Sequence, residues 1–312
     1  MARRLRVGQN LVPPIDLLQC GVQNNEDSRL AIDRYHLHKQ SPAAKSFRSP
    51  LRYPGGKQKA ADAISSMLPA KAKEYREPMV GGGSIYFLAR SKDLAESYWI
   101  NDLFAELVAF WSAVQNKTIC SKLISELEEL RSSFHCAEEI KEYFLKARTE
   151  ESQDPYRMAF LFFFFNRVTF SGTTRAGGFS PAASIKRFTA SSIERLRAMP
   201  EAMENTKITQ VDFEQVINAP GKDVFLFLDP PYYTASKLYG RNGELHSFDH
   251  GRLSTTLRKT AHKFLITYDD CEGVRELYNW AKIKEWKLQY GMNNCSLEKQ
   301  SKIGSELFIS NY

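Results

Sequence analysis

From residue 49 onward, apolar positions change period repeatedly along the 312-residue chain. Ala60, Ile64, Met67 and Leu68 recur at helical spacing, as do apolar positions within 85–90 and 103–115. Residues 121–131 and 138–148 read as two acidic, solvated helices. Pro155 then opens the run Met158-Ala159-Phe160-Leu161-Phe162-Phe163-Phe164-Phe165, apolar on every side, which predicts a buried helix. Extended patterns occupy 97–100, 206–211, 224–228, 264–268, 283–290 and 306–311, with further helices over 251–260 and 272–280. Strands alternating with helices predict an α/β fold, and the closing extended runs offer antiparallel strands at the sheet edge. Residues 1–48 mix polar residues with Pro13-Pro14 and Asn24-Asn25 and show little periodicity, so a weakly structured basic extension is expected.

One strand organises the rest. Val224-Phe225-Leu226-Phe227-Leu228 is too short for a buried helix but suits a central strand covered on both faces. Pro230 and Pro231 forbid its continuation, so it ends at Asp229. Ligands bind at the carboxyl ends of strands in open α/β sheets. Asp229, the Pro230 carbonyl and the Tyr232 ring therefore surround one pocket. The carboxylate and the carbonyl can accept the two N–H bonds of an exocyclic amine, and Tyr232 offers a stacking face. A strand that merely stops at a rigid turn would also explain D-P-P; the added tyrosine favours a site.

Two loops precede it. Arg52-Tyr53-Pro54-Gly55-Gly56-Lys57 makes a tight turn before a helical pattern, where backbone N–H groups can hold a carboxylate. Glu77-Pro78-Met79-Val80-Gly81-Gly82-Gly83-Ser84 lets a ligand approach the backbone closely, with Ser84 as an expected helix cap. Asp102 follows 18 residues after Ser84, at the tip of an extended run, where a carboxylate suits ribose hydroxyls. The spacing does not match G-x-G-x-x-G, so S-adenosylmethionine fits better than NAD. Residues 234–247, polar with two glycines, read as a flexible lid.

Charge sharpens the picture. The net charge is +7, and residues 1–60 alone hold 11 Lys or Arg against 4 acids. Residues 166–198 hold 6 bases against a single acid, Glu194, whereas 121–154 are acidic. Positive charge is thus concentrated in two segments, as a surface tracking phosphates requires. The second begins with Asn166-Arg167-Val168-Thr169-Phe170-Ser171-Gly172-Thr173-Thr174-Arg175, in which bases and aromatics interleave. A mobile surface loop is the bland alternative. The 5 cysteines are scattered without a C-x-x-C pair, which argues against a disulfide framework or a zinc site. No apolar run reaches the roughly 18 residues of a membrane span, and residues 1–6 lack the apolar part of a secretion signal, so a cytoplasmic location is expected.

Taken in order, R-Y-P-G-G-K, E-P-M-V-G-G-G-S, N-D-L, F-N-R-V-T-F-S-G-T-T-R and L-D-P-P-Y resemble the DNA adenine methyltransferase family typified by Dam, the alpha group of N6-adenine amino-methyltransferases. The resemblance covers residues 49–312. It implies a Rossmann-like S-adenosylmethionine-dependent methyltransferase sheet with an inserted, mainly helical target-recognition module: 49–112 and 206–312 catalytic, 113–205 recognition. It implies that Tyr53, Gly55 and Lys57 close on the methionine end of the cofactor and that Glu77, Gly81 and Gly83 form its glycine loop. Asp102 would hold the ribose and Asp212 with Phe213 the cofactor's adenine, while Asp229 to Tyr232 hold the target base and border the cofactor. Asn166, Arg167 and Arg175 fall in the recognition region. The family usually has an aromatic residue and an alanine where this chain has Met79 and Gly82.

The expected reaction moves a methyl group from S-adenosylmethionine to N6 of an adenine flipped out of duplex DNA, leaving S-adenosylhomocysteine, with no metal. Its rivals are the same chemistry on N4 of cytosine, an RNA base or a protein glutamine, an inactive DNA-binding homologue, and a nicotinamide oxidoreductase. Expected partners are double-stranded DNA and, if the chain serves a restriction–modification system, a cognate endonuclease. No membrane partner is expected, and the chain should be a monomer or weak dimer.

Overall fold

A computed structural model describes residues 46–53, 56–234, 248–289 and 303–312. The basic extension up to residue 45, Gly55 and the expected lid beyond Thr234 lie outside the described residues. Residues 45–312 form one compact unit.

Seven strands make one sheet: β1 (Ala72–Glu77), β2 (Ala95–Asn101), β3 (Thr206–Thr209), β4 (Val224–Leu228), β5 (Lys263–Asp269), β6 (Lys282–Gln289) and β7 (Ile303–Ser310). Their order is β3-β2-β1-β4-β5-β7-β6. The first five run parallel, and β7 is antiparallel to both β5 and β6. This is an α/β sheet, as the alternating pattern predicts, of the Rossmann-like kind that the resemblance implies.

β4 is central, and all five of its residues are buried. Because side chains alternate across a strand, Phe225 and Phe227 enter one core while Val224, Leu226 and Leu228 enter a second on the opposite face. That two-sided burial is why the strand reads as an unbroken apolar run.

The first core continues through the helices Ala105–Gln115, Lys117–Ser132 and Pro155–Val168. Phe110 stacks on Phe163 at 5.8 Å between ring centroids, and Tyr143 meets Phe164 edge-on at 5.0 Å. The phenylalanine helix is therefore the hub on which the inserted helices pack, capped by Asp154, whose carboxylate accepts from the Tyr156 and Arg157 N–H groups. Two local expectations are corrected. The acidic helices are amphipathic, each with a buried stripe such as Leu123, Ile124 and Leu127, because acids on the outer face leave the inner spacing intact. Ser84 is the first helical residue, and the cap position is Gly83 in the left-handed region. No helix among the described residues is long and apolar enough to cross a membrane.

Candidate active site

The carboxyl ends of the parallel strands place three acids side by side. Glu77 closes β1, Asp102 follows β2 and Asp229 follows β4, and β1 lies between the other two strands. Burial pushes the Glu77 carboxyl well above the usual carboxylate range, and the negative charges of Asp229 and Asp102 raise it further against the bond from Tyr75. Burial also raises Asp102, opposed by backbone N–H groups of Phe104, Gly81 and Leu103. Three crowded carboxylates suit a ligand that brings positive charge.

Asp229 is held by two donors. The Lys57 ammonium, only 4% exposed, lies 2.8 Å from Asp229 Oδ1, and Thr267 Oγ1 donates to the same oxygen at 2.7 Å. Among the described residues all bonds to this carboxylate fall on Oδ1, so Oδ2 is the oxygen left to accept from a ligand. Lys57 also donates to the Tyr232 hydroxyl at 2.7 Å. Beyond the motif, Asp269 at the end of β5 accepts from the Tyr233 and Thr234 N–H groups at 2.9 and 3.0 Å, tying down the chain as it leaves the site.

The glycine loop is shaped by the same economy of space. Asp102 Oδ2 accepts from the Gly81 N–H at 2.9 Å while Oδ1 accepts from Phe104 N–H at 3.0 Å, which links the glycine loop to the end of β2. A side chain at Gly82 would place its Cβ 2.5 Å from Tyr53 Cβ. Tyr53 thus occupies the space that glycine opens, and that is a physical reason for glycine at position 82.

Residues 53–292 match the family described as D12 class N6 adenine-specific DNA methyltransferase. The chain belongs to that family. It is 28% identical over 286 residues to the type II methyltransferase M.MjaIII of Methanocaldococcus jannaschii, covering 84% of this chain and 98% of that one. It is 25% identical over 280 residues to the DNA adenine methylase of Haemophilus influenzae, covering 85% and 94%. A DNA N-6-adenine-methyltransferase of Escherichia phage P1 is 28% identical over 254 residues, which is 77% of this chain and 32% of the phage protein.

Within this D12 methyltransferase the remaining residues singled out by sequence are not all at the pocket. Asp212 caps the helix Phe213–Asn218 through Oδ1 and meets Arg252 at 2.7 Å through Oδ2, and Phe213 is packed into the second core. Asn166 is buried and clamps the first loop, accepting from Arg52 N–H and donating to the carbonyls of Arg52 and Gly172. Arg167 is 3% exposed and donates to the Pro50 carbonyl and to Asn166 Oδ1. A phosphate contact needs a donor at the surface, and neither Asn166 nor Arg167 presents one. Their polarity braces the loop that carries Tyr53 and Lys57. Arg175 is half-buried, with Nη1 donating to the carbonyls of Arg148 and Glu150.

Sequence reasoning missed the neighbours of Arg167. Burial first, then the positive charges of Arg195, Arg52 and Arg187, push its guanidinium down to about 9. No carboxylate pairs with any of these four arginines among the described residues. Arg52 and Arg195 are exposed, and a buried Nη1 of Arg187 has no partner among the described residues. The signal was present in the count of bases over 166–198, but the sequence does not say which of them face outward. Thr267 was also missed, because a threonine inside an apolar strand reads as an ordinary β-former.

Proposed function

We propose that this D12 methyltransferase methylates N6 of an adenine flipped out of duplex DNA, with S-adenosylmethionine as the methyl donor. The observation that carries the reading is Asp229, 23% exposed at the end of β4, with Oδ1 engaged by Lys57 and Thr267 and Oδ2 without a bond among the described residues.

An adenine N6 lone pair is delocalised into the ring, so the amine is a weak nucleophile until it is held out of plane. Asp229 Oδ2 and the Pro230 carbonyl accept its two N–H bonds and so direct the lone pair, while Tyr232 stacks on the ring. Pro231 keeps the backbone rigid between them. Orientation and fixed charge do the catalysis, with no covalent enzyme intermediate.

The residues present fit the cofactor. S-adenosylmethionine, when bound, supplies an electrophilic methyl group on a positive sulfonium. Asp102, already oriented by two backbone N–H groups, accepts from the ribose hydroxyls. Glu77, costly to ionise in its buried position, gains from a nearby cation. Gly81 and Gly83 admit the cofactor to the backbone, Tyr53 and Lys57 border its methionine end, and Asp212 with Phe213 its adenine.

Residues 113–205 serve as the recognition module, although they share a core with the sheet. Arg52, Arg187 and Arg195 carry the phosphate contacts, since a like-charged cluster without carboxylates matches a polyanion.

The test is methyl transfer from labelled S-adenosylmethionine to unmethylated genomic DNA, followed by nucleoside mass spectrometry. N6-methyladenine is expected. Label in N4-methylcytosine, in RNA or in protein alone would overturn the proposal.

A further inference from the structure

A fully buried carboxylate stands at the foot of the active site on a strand that contributes no motif residue. Glu306 lies in β7, beside Leu307, Phe308 and Ile309, and is 0% exposed. Isolating a carboxylate from water is costly unless specific partners compensate. Because β7 runs antiparallel, its early residues lie beside the carboxyl end of β5, with Glu306 opposite Asp269. Topology therefore delivers an acid from the opposite chain direction to the rim where Asp229 sits.

Its partner is the motif tyrosine. The Tyr232 hydroxyl donates to Glu306 Oε1 at 2.5 Å and accepts from Lys57 Nζ at 2.7 Å, and Lys57 continues to Asp229 Oδ1 at 2.8 Å. Donor and acceptor types fix the direction of every link. A carboxylate only accepts, so Tyr232 commits its proton to Glu306; an ammonium only donates, so Lys57 meets the tyrosine lone pair. Two carboxylates thereby share one ammonium through one phenol.

We infer that Glu306 is a positioning residue for the methyl-transfer site, acting through Tyr232 and Lys57 on the two groups that hold the target base. It rests on the adenine reading above. A charged acceptor makes a bond roughly twice as strong as a neutral one, so Glu306 holds the phenol at one angle and leaves its lone pairs for Lys57. Asp229 is then presented with Oδ2 outward, and the Tyr232 face is set before the base arrives. A glutamine at 306 has the same shape but adds N–H donors, which compete with Lys57 for the phenol oxygen and loosen both ends of the chain.

The test is a double-mutant cycle on the full chain with S-adenosylmethionine and unmethylated DNA. Glu306→Gln should lower kcat roughly 10- to 100-fold, the scale of a misoriented reacting group, with the S-adenosylmethionine dissociation constant within about threefold of wild type. Tyr232→Phe removes the hydroxyl link, and Glu306→Gln added to it should cost little more, because the second change then has no route to Asp229. Calorimetric melting of each variant shows that it is folded, and a 2-aminopurine at the target position reports base placement without turnover. Losses in kcat that simply multiply, or wild-type kcat in Glu306→Gln, would overturn the role of Glu306 while leaving the adenine reaction intact. A wild-type chain that modifies no adenine would overturn that reading and this inference with it.

Discussion

The Tyr75 hydroxyl donates to Glu77 Oε2 at 2.8 Å from two residues away on the same face of β1, and both side chains are buried. One bond does not compensate for the lost solvent, and Glu77 still sits well above its ordinary value of 4.5. The folded chain therefore keeps this proton to a higher pH than the unfolded chain does. The stability it contributes is present in acid and is lost as pH rises from the ordinary value through the raised one.

Glu77→Gln removes that loss. Its melting temperature should exceed that of wild type at pH 8 by about 2 °C or more, with a smaller difference at pH 5. The same change should weaken S-adenosylmethionine binding about 10-fold or more, since a charged acceptor is gone. Scanning calorimetry at the two pH values and titration calorimetry at pH 8 check both halves.

Asp229→Ala should abolish methyl transfer and also destabilise the chain by about 1 to 3 kcal/mol, because Lys57 loses its ion pair in a buried place. Cofactor affinity should stay within a few-fold. Substantial turnover in the purified variant would remove Asp229 from its role.

Asp102→Ala breaks the bonds to Gly81 and Phe104 together. Losing those bonds and the ribose acceptor should raise the S-adenosylmethionine dissociation constant about 10- to 100-fold. An unchanged value in calorimetry would count against this site.

Arg167 and Arg195 should separate structure from DNA contact. Arg167→Met should lower the melting temperature and leave the salt dependence of DNA binding unchanged, since its donors serve Pro50 and Asn166. Arg195→Ala should keep the melting temperature and reduce the log–log salt slope by about one unit. Binding titrations of both variants across salt decide the matter.

The parts legible in sequence were those written in local chemistry. Two prolines after five apolar residues placed the end of β4 at Asp229, one residue past the Leu228 where the structure ends it, and the phenylalanine run announced the hub helix. What stayed hidden was distance and direction. Lys57 and Asp229 are 172 positions apart and only strand order brings them together. Arg167 looked like a surface base because residue type carries no burial label, and only its clamp on Pro50 shows that it faces inward. Glu306 gave one clue, a charge next to three apolar residues, but its face depended on the antiparallel register.

The interior place of β7 between β5 and β6 has a consequence for how the protein is born. A ribosome makes β6 before β7, but β6 bonds to the sheet through β7, so the β5 edge waits, its N–H and C=O groups unpaired, until β7 is made. An apolar edge left open in this way invites pairing with other chains. Nascent chains that stop short of β7 lack the carboxylate beneath Tyr232, so catalytic competence arrives at a late step of synthesis and not gradually with chain length.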